Sequence, residues 1–419
     1  MSGRVQGALV RGRTLMLYSA YQAQSDLMNP ARMMAQAALT ALGAKALMGQ
    51  PVDIRAAAAA YEMVTRAGLT HERPPYEIDT VRDGNRDAVV TEEVMLTLPF
   101  GSLLRFAKDS DLPQAKVLVV APMSGHFATL LRNTVATLLR DHDVYITDWH
   151  NARDVSLDHG AFGYDDYVDT LIAFIEKLGP DTHVVAVCQP CVQVLTAAAV
   201  MAQAGNPLQP RSMTLMAGPV DTRINPTAVN KLASDKPIEW FRKNLIATVP
   251  ARYPGAGRKV YPGFVQLGAF LAMNLQRHVN AHIDMFTHLA TGEEEQAMTI
   301  KKFYDEYFAV LDLPAEFYLE TVQWIFQEAR LAAGTLSYRG EKVDCRAIKK
   351  TALLTVEGER DDICSLGQTS AAHDLCTGLK PFRKRHHMQA GVGHYGVFSG
   401  RKWDGQIYPI VRNMIVANS

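Results

Sequence analysis

The stretch His183-Val184-Val185-Ala186-Val187-Cys188-Gln189-Pro190-Cys191-Val192-Gln193-Val194-Leu195 decides how the rest of the chain reads. Val184 to Val187 form a short apolar run rich in β-branched residues, the pattern of a strand buried in a parallel sheet. From Cys191 to Ala204 the composition turns to Ala, Leu, Val, Met and Gln, which favours helix. Pro190 suits a first helical turn, because the N–H it lacks has no intrahelical partner there. Cys188 is therefore expected on a tight strand-to-helix turn, at the positive end of a helix dipole. Such a position favours a thiolate and offers backbone N–H groups to a developing anion, so Cys188 is a candidate nucleophile.

A β/α alternation surrounds this stretch. Residues 116–122 predict an apolar strand, 130–139 a helix, 143–149 a strand, and 164–178 an amphipathic helix after a polar loop at 150–163. Beyond the Cys188 unit, residues 212–218 predict a further strand. The pattern resumes with a strand at 351–357, a helix at 366–375, a strand at 385–389 and a closing helix at 405–417. Strands and helices alternating at this spacing imply an α/β fold with a doubly wound, mostly parallel sheet. Ligands in such sheets bind at the carboxyl ends of the strands, where Cys188 is expected.

Between Gly218-Pro219 and residue 339 no strand pattern is visible, only helical stretches rich in aromatic residues and Met. An all-helical insertion between two parts of one sheet predicts a lid over the strand ends. Ahead of the alternation, Asn29-Pro30 predicts the start of a helix over 31–42, and Asp53 caps a second over 54–67. Strands at 77–81 and 88–98 are joined by Arg82-Asp83-Gly84-Asn85, a hairpin turn. Four segments follow: an N-terminal helical segment at 1–75, core at 76–220, helical lid at 221–340 and core again at 341–419.

Bulk composition excludes several classes of function. Lys plus Arg number 43 and Asp plus Glu 43, so net charge gives no reason to expect nucleic acid as a partner. No apolar run approaches the length needed to span a bilayer, and residues 1–15 lack the continuous apolar core of a secretory signal. Five cysteines widely scattered through a large chain argue against a disulfide framework and for a reducing compartment, with the cytoplasm expected.

Two loops complete a chemical constellation. Glu357-Gly358-Glu359-Arg360-Asp361-Asp362-Ile363 follows one predicted strand and Gly391-Val392-Gly393-His394-Tyr395-Gly396 the last. Each puts an acid or a His at the sheet edge that carries Cys188. Nucleophile, acid, base is the chain order of α/β-hydrolases. In that chemistry His394 takes the Cys188 proton, while Asp361 fixes the imidazole tautomer. The oxyanion hole takes one N–H from Gln189, next after the nucleophile. A second is expected from the loop at 122–127, with His126 as candidate donor. Ala186 and Pro190 stand where the usual G-x-S-x-G elbow has glycine.

The chain resembles the intracellular polyhydroxybutyrate depolymerases, cysteine-dependent α/β-hydrolases that act on stored polyester. Met16-Leu17-Tyr18-Ser19-Ala20-Tyr21-Gln22, Ala121-Pro122-Met123-Ser124-Gly125-His126, Val187-Cys188-Gln189-Pro190 and the two loops just quoted carry the resemblance, which begins at Met16 and leaves residues 1–15 as an extension. It implies an α/β-hydrolase fold with Cys188 as nucleophile, Asp361 as acid and His394 as base. It also implies a Cys-Gln-Pro elbow without glycine and release of 3-hydroxybutyrate or short oligomers by water, or by coenzyme A as acyl acceptor. The polymer or its granule surface would be the partner, an oligomer of the chain is open, and neither cofactor nor metal is needed.

Other assignments stay open beside it. Cys188 with Cys191 is also the C-x-x-C of redox proteins. Ser124, Trp149, Trp240 and Tyr253 are candidates for a substrate pocket. His278 and His282 lie i, i+4 on a predicted helix, where ordinary lid residues are expected rather than a metal pair. Lys380, Arg383, Lys384 and Arg385 form a basic run suited to a solvated edge or to a phosphate such as that of coenzyme A. A polyester synthase-like acyltransferase and a non-catalytic granule-binding protein are the alternatives in function.

Overall fold

The computed structural model describes residues 2–42, 51–110, 113–273 and 275–419. In chain order come α1 (Ser2–Leu42), α2 (Val52–Thr65), β1 (Thr80–Asp83), β2 (Arg86–Leu98), β3 (Gly101–Lys108), β4 (Lys116–Val120), α3 (Arg132–Leu138), β5 (Asp143–Trp149), α4 (Tyr164–Leu178), β6 (Thr182–Val187), α5 (Cys191–Gln203) and β7 (Ser212–Met216). An insertion of helices follows: α6 (Ala228–Ser234), α7 (Ile238–Asn244), α8 (Gly263–Met273), α9 (Leu275–Thr291), α10 (Glu294–Tyr307) and α11 (Ala315–Glu320). Among them lie the short strands β8 (Ala247–Thr248), β9 (Lys259–Tyr261) and β10 (Leu313–Pro314), then β11 (Ser337–Tyr338) and β12 (Glu341–Lys342). The chain closes with β13 (Ala352–Gly358), α12 (Ala372–Leu375), β14 (Lys384–Gln389) and α13 (Tyr408–Val416).

One sheet of nine strands, in the order β1-β2-β3-β5-β4-β6-β7-β13-β14, organises the molecule. From β5 to β14 every pairing is parallel. β3 pairs antiparallel with both β2 and β5. This is the α/β-hydrolase sheet, extended by the β1–β2 hairpin. The middle strands are buried on both faces: Val117 to Ala121 and Val184 to Val187 are all solvent-inaccessible, which is why they read as unbroken apolar runs rather than alternating ones. The chain leaves β4 toward β5 and returns for β6 on the other side. The loops after β4 and β6 thus flank the crevice at the topological switch point.

The structure departs from expectation at four places. β3 is an addition to the expected strands; Leu103, Leu104 and Phe106 are its buried apolar side chains, packed between two strands. α1 runs unbroken through Pro30 instead of starting beside it. An interior proline costs a helix roughly 3 kcal/mol, and here Arg32 opposes that cost: its Nη2 donates to Ser25 O across the proline within α1 at 2.9 Å, and its Nη1 donates to Ala67 O at 3.0 Å, bracing α1 against the end of α2. The insertion and its exit contain the strands β8 to β12, each two or three residues long and too short for any periodicity to show. The helix predicted at 366–375 shrinks to α12, because the buried Glu357 carboxylate accepts the N–H groups of Gly367, Thr369 and Ser370 and holds that segment in turns.

The insertion is stitched to the catalytic edge of the sheet just before β10. Leu311 N–H donates to Gly125 O at 3.0 Å and Val310 N–H to Thr70 O at 2.9 Å. His126 and Val310 form an isolated antiparallel bridge. Among the described residues no helix is long and apolar enough to cross a membrane.

Candidate active site

β6 ends at Val187 and α5 begins at Cys191, so the chain reverses direction in three residues. Cys188 absorbs the turn at φ +67, a left-handed conformation that a residue with a Cβ rarely adopts. Such strain costs of order 1–3 kcal/mol and persists only where the surroundings over-determine it. Here Cys188 N–H donates to Met216 O at 2.8 Å, and Cys188 O accepts from Cys191 N–H at 3.2 Å. Gly218 lets β7 approach: a Cβ there would lie 2.3 Å from Cys191 Sγ and 2.9 Å from Cys188 O. Small residues are thus required beside the elbow, but the essential one is at 218 rather than in the motif itself.

The two cysteines of the C-x-x-C meet opposite surroundings. Cys188 is partly exposed and Cys191 fully buried. Cys191 Sγ lies 3.5 Å from Ala186 O and 3.6 Å from Met216 O, and burial pushes its thiol well above the usual range. No disulfide joins them.

His394 follows Gly393 after β14 and turns its ring into the same crevice. Its Nδ1 lies 2.8 Å from Asp361 Oδ2, and the Cys188 thiol is its other hydrogen-bonding partner. Burial works against charge on this imidazole, yet the Cys188 and Asp361 charges and hydrogen bonds outweigh it and hold the proton well above the ordinary histidine value. Asp361 is fixed from below by its other oxygen, which accepts Ile363 N–H at 2.9 Å and Cys364 N–H at 2.8 Å. Of the two adjacent acids it is Asp361 that meets His394, while Asp362 faces an open cavity.

That cavity, about 390 Å³, opens over His394. Phe270 and Arg277 from the lid, Tyr307 at the end of α10, and Tyr395 beside His394 line it. Tyr395 stood inside the quoted histidine motif, and Phe270 and Tyr307 are among the lid aromatics. Which aromatics faced the site was invisible, since helix periodicity alone does not say what a lid helix covers.

The remaining candidates fall in different places. Gln189 is 7% exposed, and its Oε1 accepts Met123 N–H at 3.3 Å, tying the elbow to the loop after β4. His126 lies on that loop, but its buried ring binds the lid: Nε2 is 3.1 Å from Tyr307 O and the ring stacks on Phe270. Burial lowers its pKa to about 4, so the ring is neutral and donates to that carbonyl. Ser124 is half-buried beside it.

Three pocket candidates lie away from the cavity over His394. Trp149 is core, 1% exposed, with its indole N–H donated to Ala121 O at 2.8 Å and its ring 4.4 Å from that of Tyr167. Tyr253 lines a separate cavity between α1, α2 and the lid, with Arg153 over its ring. Trp240, 39% exposed on α7, packs edge-on against Phe241 and does not line the cavity over His394. His278 pairs with the Tyr304 hydroxyl and His282 with the carbonyl of His278. In the basic run, Arg383 donates to Lys350 O and Lys384 to His373 O, so two of its cations already brace the sheet edge.

Residues 217–419 match the sequence profile of the family described as PHB de-polymerase C-terminus. Over these residues the chain is similar to the PHB depolymerase family. The matched region carries Asp361 and His394; the Cys188 elbow precedes it. No curated protein matches the chain. Solved structures of similar fold include a monoacylglycerol lipase from Paleococcus ferrophilus (12% identity over 73% of this chain and 95% of that one, TM-score 0.41). A second is a Nitrososphaera gargenis structure from work on carboxylesterases (12%, 77% and 99%, TM-score 0.39). A third is a hydrolase from Pseudomonas aeruginosa (11%, 80% and 98%, TM-score 0.45). Family and sheet topology together support an ester hydrolase of the α/β-hydrolase fold.

Proposed function

We propose that this protein cleaves the ester bonds of stored poly(3-hydroxybutyrate) through a Cys188–His394–Asp361 triad, in the cytoplasm at the granule surface. The observation that carries the proposal is the hydrogen-bonded line from Asp361 through His394 to a thiol on a left-handed elbow. Nucleophile and base within hydrogen-bond reach, with the base oriented by a third group, is the arrangement that acyl transfer requires.

In this mechanism His394 holds the Cys188 proton and the sulfur attacks the ester carbonyl as a thiolate. Negative charge develops on the carbonyl oxygen, received by the Gln189 N–H and an amide of the loop that holds Met123 and His126. Collapse breaks the C–O bond, and His394 gives its proton to the departing alkoxide. A thioester on Cys188 remains. Water then attacks it, His394 takes the water proton and returns it to sulfur, and a carboxylic acid leaves. A coenzyme A thiol in place of water would release a hydroxyacyl thioester instead. No step requires a metal or cofactor.

The discriminating assay incubates purified protein with amorphous granules and, separately, with 3-hydroxybutyryl-coenzyme A. Release of soluble 3-hydroxybutyrate or its oligomers is expected, with added coenzyme A deciding between hydrolysis and thiolysis. Consumption of the thioester with growth of polymer would instead mark a synthase-like acyltransferase, and granule binding without turnover a coat protein.

A further inference from the structure

The cavity over His394 has a neighbour. Three of its lining residues, Arg277, Tyr307 and Tyr395, also line a second cavity of about 760 Å³, so the two share a neck. The second lies between α3, α9, α10 and the segment after His394, and Leu130, Ala281, Ile300, Phe303 and Phe398 give it an apolar lining. Other charges on its rim are paired off. Arg132 Nη2 lies 2.5 Å from Glu306 Oε1, and Lys302 Nζ 3.9 Å from Glu77 Oε2.

At the neck the polar groups are of one kind. Among the described residues the Tyr307 and Tyr395 hydroxyls and the Arg277 guanidinium have no hydrogen-bond or ion-pair partner. Arg277 and Tyr395 are exposed; the Tyr307 ring is buried, yet its hydroxyl reaches the cavity surface. Burial pushes the Tyr307 hydroxyl up to about 12 and raises that of Tyr395 as well, so both hold their protons at neutral pH. A guanidinium only donates. A polyester is the complement of such a neck, since each unit brings an ester carbonyl as acceptor on an apolar, methyl-bearing stem and the chain has no internal donor. We propose that the second cavity is a subsite for the polyester chain, holding hydroxybutyrate units beyond the ester under attack, with Tyr307, Tyr395 and Arg277 donating to a carbonyl oxygen of those units at the neck. Binding energy gathered from remote units serves to orient the reacting ester, so longer chains should be cleaved faster than a single unit.

This inference rests on the depolymerase reading above, and its test separates the two. kcat/KM is measured on the methyl esters of 3-hydroxybutyrate and of its linear tetramer, neither of which carries a carboxylate. The readout is the tetramer-to-monomer ratio, which a general loss of folded enzyme does not move. A wild-type ratio of at least about ten is expected. Ala281→Phe, which fills the second cavity, should bring the ratio close to one. Tyr307→Phe and Arg277→Met remove donors only and should each lower it about 3–10-fold. A wild-type ratio near one would overturn the inference, as would a high ratio unchanged in Ala281→Phe or in both neck variants. If wild type still cleaves both esters after complete alkylation of Cys188, the nucleophile assignment fails instead, whatever the ratio.

Discussion

Cys188 and Cys191 stand three positions apart, and their surroundings divide the chemistry between them. Cys191 sits in apolar contact beneath the elbow with its proton held firmly, so Cys191→Ala should keep activity within a few-fold while losing about 1–2 kcal/mol of stability, read by urea denaturation. Activity lost in Cys191→Ala as fully as in a Cys188 variant would indicate a dithiol mechanism. Asp361→Asn should cut kcat by up to about 10⁴-fold, since an amide carries no charge to stabilise the imidazolium and does not fix the His394 tautomer, whereas Asp362→Asn should change it little. His394 carries a signed pH prediction. Its proton is held more tightly in the folded protein than in the unfolded chain, where release occurs near 6.5. The stabilisation is complete below that value and disappears as pH rises through the folded one. The gap in melting temperature between wild type and His394→Gln should therefore be widest below about pH 6.5 and narrow at alkaline pH; a gap that widens with pH would contradict the assignment. At this scale the residues of the proposed triad were legible, because each lies in a short motif next to a recognisable strand. The pocket aromatics were not: Trp149, Trp240 and Tyr253 differ from Phe270 and Tyr307 only in which way their elements face.

At the scale of elements, the sheet was readable wherever a strand is buried on both faces, and missed at β3, although Pro99 and Gly101 bracket the turn that opens it. The helix α1 was visible only in pieces, because a proline inside it looks like a boundary and the ties that overcome it come from distant residues. Chief among them is Tyr18, fully buried, whose hydroxyl donates to Asp312 Oδ2 at 2.6 Å. The other carboxylate oxygen accepts Gly263 N–H, at the start of α8, at 2.9 Å. One buried acid thus fastens α1 to the lid, a residue apart from the Leu311 that bonds Gly125. Burial raises the Asp312 pKa to about 6, so at neutral pH it is largely ionised and depends on these donors. Tyr18→Phe removes one of them from a dry site and should cost about 1–3 kcal/mol. Limited proteolysis should then nick α1 first; an unchanged digestion pattern and denaturation midpoint would show that the helix is held by something else.

For the whole molecule, charge balance and surface character bear on the partner proposed above. Acidic and basic residues are equal in number, at 43 each, and the lid helix α9 exposes Leu275, Val279, Ile283 and Phe286. A neutral polyester offers nothing for a charged surface to grip. Sedimentation of the protein with granules should accordingly change little between 50 mM and 500 mM salt, whereas a steep fall would mean an electrostatic attachment. The central claim, that Cys188 carries the acyl group, is tested most directly by intact-protein mass spectrometry during turnover of a short hydroxybutyrate ester. Wild type should gain one hydroxyacyl mass on Cys188, discharged by water or coenzyme A, and Cys188→Ala should gain none and release no acid. Undiminished release by Cys188→Ala, or an adduct on any other residue, would contradict the account.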